Sequence, residues 1–200
     1  REHGKNLVYL LEDLYQRTKN LSEPHYTSHT PNPKDIDISL SYLERETELL
    51  EIFKTHLENT AGCFYAKPDV DAIAVTVGPG LEPALWVGIS FAKALATLWN
   101  IPVLPINHME GHIVSIATEH TIDSDIFPAI ALLISGGHTE LVSIPTWGKY
   151  SIIGGTKDDA VGEAYDKVAR ILGMPYPGGP EISKKAESLR EKSSIEELEQ

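Results

Sequence analysis

The stretch from Asp71 to Ile106 limits the folds open to this chain more than any other. Asp71 to Val77 is a short apolar run rich in Val and Ile, and Gly78-Pro79-Gly80 ends it. A helical pattern then runs from about Glu82 to Trp99, and Pro102 to Ile106 is apolar again. Strand, helix and strand at this spacing form a βαβ unit with a right-handed crossover, in which the helix packs on a parallel strand pair. The expected class is therefore α/β. Ligand sites in such sheets favour the carboxyl ends of the strands. The Gly-Pro-Gly corner falls at one of those ends, before a helix N-terminus whose N–H groups and dipole favour negative charge. That signal is weak alone, because most strand-to-helix corners hold Gly or Pro for geometry only.

The second strand runs directly into His108-Met109-Glu110-Gly111-His112. Two imidazoles four residues apart share one helix face and can reach one divalent metal. The usual zinc-protease helix has Glu immediately after its first His; Met109 stands there, so the protease reading lacks its general base. Glu110 points roughly 200 degrees away from His108 and is a poor third ligand. Further on, the apolar run Phe127 to Ile134 stops at Ser135-Gly136-Gly137-His138-Thr139, and Glu140 to Ile144 follows. This pattern predicts an antiparallel hairpin whose side-chain-free corner lets backbone approach a phosphate. His138 is either a site residue or an ordinary turn residue. A metal pair and a phosphate-ready turn on one short connection suggest a single active site.

Elsewhere the chain predicts a helix over Lys5 to Gln16, a polar loop or locally disordered insert over Asn20 to Pro33, and a helix over Ser41 to His56. His25 and His29, in the polar stretch, are expected to be solvent-exposed. Beyond the loop Thr121 to Asp125, Tyr150 to Ile153 adds a third strand and Lys157 to Leu172 a helix. Tyr176-Pro177-Gly178-Gly179-Pro180 breaks the chain, and Ile182 to Leu198 resumes a charged helical pattern. The formal charge is -12, with 9 Lys and Arg against 18 Asp and Glu over residues 1–125 and 8 against 11 over residues 126–200. Nucleic-acid binding needs clustered cations, so an RNA partner requires help from other proteins. The single cysteine, Cys63, excludes an intrachain disulfide and a Cys-rich metal site, and points to a reducing compartment. The longest apolar run, eight residues, is too short to span a membrane; the chain reads as soluble.

Four blocks in order carry a resemblance: VGPGL at Val77 to Leu81, HMEGH at His108 to His112, LLISGGHTELV at Leu132 to Val142, and DDAVGEAYDKVARILGMPYPGGP at Asp158 to Pro180. The chain resembles the universal tRNA threonylcarbamoyladenosine-forming transferase family, once labelled a glycoprotease family. The resemblance covers most of residues 67–190, and Arg1-Glu2-His3 resembles the end of the family's early Ser-Arg-Glu-His stretch.

That resemblance implies an actin-like, sugar-kinase-like (ribonuclease H-like) two-lobe α/β fold. Residues 1–126 would be the remainder of the first lobe, with an unusually long insert at about 20–67, and residues 127–200 would start the second. It implies transfer of a threonylcarbamoyl group from threonylcarbamoyl-AMP to the exocyclic amine of the adenosine beside the anticodon, at position 37, in tRNAs reading ANN codons. By the same resemblance His108 and His112 would ligate one divalent metal, iron or zinc. Leu133, Ile134, Ser135, Gly136 and Gly137 would hold the donor, and Asp166 and Gly179 its ribose and adenine. The sequence alone also allows an i,i+4 pair of Asp166 with Arg170. Partners would be tRNA, threonylcarbamoyl-AMP, a donor-synthesising enzyme and accessory subunits, in the cytoplasm and without a membrane. No covalent enzyme nucleophile is needed, and no catalytic side chain is assigned in this stretch. The family's first strand is expected upstream of Arg1, and a late Asn and a third metal ligand, an Asp, downstream of Gln200; an internal fragment, inactive alone, is the expectation. A non-catalytic scaffold paralogue and an actin-like phosphotransferase or ATPase are the alternatives, and the His pair argues against the first.

Overall fold

The computed structural model describes residues 2–20, 26–59, 62–118 and 126–190. The chain is α/β, and its contacts gather into two compact units, Arg1–Gly111 and His112–Gln200. His25, the loop Thr121 to Asp125 and the end of the helix expected to reach Leu198 lie outside the described residues. Among the described residues no helix is long and apolar enough to cross a membrane.

The first unit runs α1 (Glu2–Thr18), β1 (Tyr26–Ser28), α2 (Pro33–Tyr42), α3 (Thr47–Leu57), a 3-10 turn (Cys63–Tyr65), β2 (Ala66–Pro68), β3 (Ile73–Gly78), α4 (Glu82–Trp99) and β4 (Val103–Asn107). The expected βαβ unit is present: β3 and β4 pair in parallel, with Ile73 opposite Val103 and Gly78 opposite Asn107. The helix α4 stops at Asn100, whose φ of 51° is the left-handed conformation that Asn tolerates; the N–H groups of Asn100 and Ile101 both return to Ala96 O.

The stretch Asn20 to Pro33, expected as a polar loop or locally disordered, holds the short strand β1 and ends on the first residue of α2. Leu43, Leu49, Phe53, Leu57, Cys63 and Phe64 are buried against Val8 of α1 and Phe91, Leu95, Leu98 and Trp99 of α4, and supply much of the core. The helix expected over Ser41 to His56 is two helices, broken at residues 43–46. The first starts earlier because Asn32 caps it, accepting the Lys34 N–H at 2.9 Å, and Pro33 takes the first position. Ser39, fully buried, donates to Asp35 O and Ala94 O and ties α2 to α4. His29 is also corrected: it is half-buried, and its Nε2–H donates to Leu98 O at 2.6 Å.

Glu12 joins α1 to the 3-10 turn by accepting Cys63 N–H at 3.1 Å and Gln16 Nε2–H at 2.6 Å. Burial pushes its carboxyl up, but the bonds from Gln16 and Cys63 outweigh this and hold it below the ordinary value. Burial first, then the Glu12 carboxylate, push the Cys63 thiol well up, so it stays protonated and unreactive. A depressed carboxyl stabilises the fold above its unfolded pKa, and that contribution is lost as pH falls through the lower folded value. Glu12→Gln is therefore expected to cost about 1 kcal/mol near pH 7, with the difference from wild type shrinking below about pH 4. It should also speed alkylation of Cys63 by iodoacetamide; equal labelling rates and a pH-independent difference would remove Glu12 as the tie.

The second unit holds β5 (Ala129–Ile134), β6 (Thr139–Thr146), β7 (Lys149–Gly155), α6 (Val161–Ile171) and α7 (Gly178–Arg190). The expected hairpin is present, with Ile134 opposite Thr139 across the Ser135–His138 turn, and β7 extends the antiparallel sheet. The helix α6 begins later than Lys157, because the Thr156 hydroxyl donates to Asp159 O at 2.8 Å and Ala160 is extended. The helix α7 begins earlier than Ile182, at Gly178 itself. Pro180 is tolerated in its first turn, where no helical N–H bond is lost.

Candidate functional site

The two strands of a parallel pair end on the same edge, so the Gly-Pro-Gly corner after β3 and the chain leaving β4 are neighbours. From β4 the chain enters α5 (His108–Val114). Asn107 caps it, its side chain accepting Met109 N–H at 2.9 Å and Glu110 N–H at 3.4 Å. His108 Nδ1 lies 3.0 Å from Pro79 O. A carbonyl only accepts, so Nδ1 donates this bond. Metal-binding histidines are commonly oriented by this kind of second bond. Gly78-Pro79-Gly80, a weak anion-site signal in the sequence, has a second role here: its Pro79 carbonyl orients His108. The parallel pairing of β3 with β4 was the signal that could have found it.

His108 and His112 stand one turn apart in α5, both exposed. The donor set suits zinc or iron in kind, since both accept imidazole nitrogen. It supplies two ligands where a catalytic site normally uses three, and no group of three or more His, Cys, Asp or Glu able to hold a metal occurs among the described residues.

In the second unit the Ser135–His138 turn closes on itself. Ser135 N–H donates to His138 O at 2.8 Å, and Ser135 Oγ accepts the N–H groups of Gly137 and His138 at 3.3 and 3.0 Å. The Ser135 hydroxyl is thus committed inside the turn, and His138 is a half-buried turn residue whose carbonyl closes it. Gly136 and Gly137 form the open surface: a Cβ on either would meet nothing within 4 Å. Leu133 is buried, whereas Ile134 is exposed.

The start of α6 abuts this turn, with Gly162 N–H donating to Ser135 O at 3.2 Å. Five residues into the same helix, Asp166 is half-buried and its Oδ1 accepts Gly178 N–H at 2.7 Å. The carboxylate therefore caps α7 rather than pairing with Arg170, at the residue before Gly179. Lys167 instead bridges Asp159 at 2.5 Å and Glu163 at 3.0 Å. The structure thus joins Ser135 and Gly136 to α6, and Asp166 to the Gly178-Gly179 corner. A cavity of about 470 Å³ lined by Lys5, Arg45 and Thr47 contains none of these residues.

The first unit thus orients an imidazole at a strand end, the second presents an open Gly-Gly turn beside a helix N-terminus, and the whole is an α/β protein. The chain belongs to the tRNA N6-adenosine threonylcarbamoyltransferase family, whose model matches residues 51–198. It is 54% identical over 127 residues to the Bacillus subtilis (strain 168) protein named tRNA N6-adenosine threonylcarbamoyltransferase, covering 64% of this chain and 35% of that protein. Proteins of the same name from Streptococcus uberis and Ligilactobacillus salivarius are 49% and 55% identical over 144 and 120 residues. Those matches cover 68% and 60% of this chain and 42% and 34% of the relatives. The chain thus spans between a third and just over two fifths of the length of these curated relatives.

Proposed function

We propose that the protein carrying this chain transfers a threonylcarbamoyl group from threonylcarbamoyl-AMP to the exocyclic amine of adenosine 37 in tRNAs that read ANN codons, in the cytoplasm. The observation that carries this reading, within the family, is the open Gly136-Gly137 surface at the N-terminus of α6. Backbone there approaches a phosphate without a side chain intervening, and the helix dipole favours its charge. Asp166 and Gly179 would receive ribose and adenine, a reading supported by the bond from Gly178 N–H to Asp166 that brings the two segments together. The amine nitrogen bonds to the carbamoyl carbon and gives up one proton to solvent, while the bond from that carbon to the phosphate oxygen breaks and AMP departs with the electron pair. His108 and His112, with a further ligand, would hold one iron or zinc ion, which as a Lewis acid would polarise the carbamoyl oxygen.

In the same reading residues 1–126 belong to the first lobe of an actin-like fold and residues 127–200 open the second. The acidic chain takes its tRNA together with a donor-synthesising enzyme and accessory subunits. The test incubates full-length protein and those subunits with threonylcarbamoyl-AMP and tRNA, and reads the modified nucleoside by mass spectrometry. No product from any ANN-reading tRNA would end the proposal. His108→Ala and His112→Ala are each expected to lower metal affinity by more than the roughly 10- to 100-fold that loss of an outer-shell partner costs. Variants that keep their metal in calorimetric titration would make the pair structural.

A further inference from the structure

We propose that Thr139 and Gly162 are positioning residues that seat the Ser135–Gly137 turn for the donor, an inference that rests on the reading above. Thr139 is the first residue of β6, and its Oγ1 accepts Val161 N–H at 2.9 Å across 22 residues of chain. Ala160, the residue before α6, provides no side-chain cap of its own. Thr139 therefore supplies the cap from the far side of the turn, while its carbonyl accepts Thr156 N–H at 2.9 Å. The next N–H of the helix, from Gly162, is the one that meets Ser135 O. Two of the N–H groups a helix leaves unsatisfied at its start thus bond the two ends of the Ser-Gly-Gly-His-Thr segment.

Gly162 makes this approach possible. A Cβ there would stand 2.8 Å from both Gly136 Cα and Ser135 O and 3.0 Å from Gly136 N. All three are backbone atoms, so no rotamer change relieves the clash and the turn itself has to move. On the other side Gly136 and Gly137 meet nothing. The turn is pressed from within by α6 and open outward, which fixes the height and angle at which its backbone meets a phosphate. A pure stability role for Thr139 would be satisfied by any cap; a positioning role requires a hydroxyl at this place, so serine should serve and isosteric valine should not.

The experiment compares wild type, Thr139→Val, Thr139→Ser and Gly162→Ala in the full-length protein. Amide hydrogen exchange of Gly137 and His138 is measured without ligand, and the affinity for AMP by calorimetry. Thr139→Val and Gly162→Ala are expected to speed exchange and weaken AMP at least tenfold each, and Thr139→Ser to stay within threefold of wild type in both. Unchanged exchange in Thr139→Val overturns the seat, and faster exchange with unchanged AMP affinity overturns its role in positioning. If Gly162→Ala fails to fold, the valine and serine pair decides. Wild-type protein that binds no AMP would instead overturn the functional reading, and exchange would still decide the seat.

Discussion

Phe53→Ala is expected to destabilise the first unit by about 3 to 5 kcal/mol, the range for truncating a buried aromatic. Phe53 is fully buried. Its ring centroid lies 4.3 Å from that of Phe64 and 6.1 Å from that of Phe91, the latter edge-on. Those partners come from the 3-10 turn and from α4, so the substitution leaves a cavity between α3 and two other elements. None is a flexible side chain that could swing in to fill it. Val8 and Leu43, also fully buried in this core, bring α1 and the end of α2 to the same place. The upper end of the range applies if the surrounding helices hold their places, and the lower end if α3 settles inward. Urea denaturation followed by circular dichroism measures the difference. A loss below about 0.5 kcal/mol, the level of a surface substitution, would mean that Phe53 does not anchor this core.

What was legible in the sequence was what is local. The period of 3.6 gave α1 and α4, and the apolar runs around Gly78-Pro79-Gly80 and Ser135-Gly136-Gly137 gave β3, β4 and the β5–β6 hairpin. The break between α2 and α3 was missed because Leu43 and Leu49 both face the core, so the apolar pattern continues across a turn that hydrogen bonds alone reveal. The early start of α7 was missed because its cap is Asp166, twelve residues back and in another helix. His29 misled for the same reason, since its partner is Leu98 O, sixty-nine residues away. In the site, the residue types at each motif could be read, but not that Pro79 would orient His108 or that Ser135 would spend its hydroxyl within its own turn. The first depends on where two segments meet, and the second on how the backbone of a four-residue turn closes; residue types and spacing encode neither.

Gly178→Ala is expected to cost the second unit about 2 to 3 kcal/mol, at the upper end of what overpacking a buried seam costs. Gly178 is buried where α7 starts against α6, and a Cβ there would collide with the Ala169 Cβ and stand 2.9 Å from Asp166 Cα and 3.1 Å from Tyr165 O. Two of those neighbours are backbone and the third is a methyl group with nowhere to turn. The helix α7 must therefore move outward, and the 2.7 Å bond from Gly178 N–H to Asp166 lengthens with it. The usual gain of alanine over glycine in a helix, up to about 1 kcal/mol, does not compensate. Asp166→Ala removes the same bond from the other side and should cost about 1 to 3 kcal/mol, the scale for leaving a buried donor unsatisfied. Because both variants release one seam, their effects should fall short of additive in a double-mutant cycle. Adding Ala169→Gly to Gly178→Ala takes away one of the three clashes and should recover about 1 kcal/mol. Gly179 follows Gly178 directly, so under the proposed function each seam variant should also weaken AMP binding, whereas Glu187→Ala, on the exposed side of α7, should not. Full additivity of Gly178→Ala with Asp166→Ala, or a Gly178→Ala loss under about 0.5 kcal/mol, would show that the two helices do not meet at Gly178.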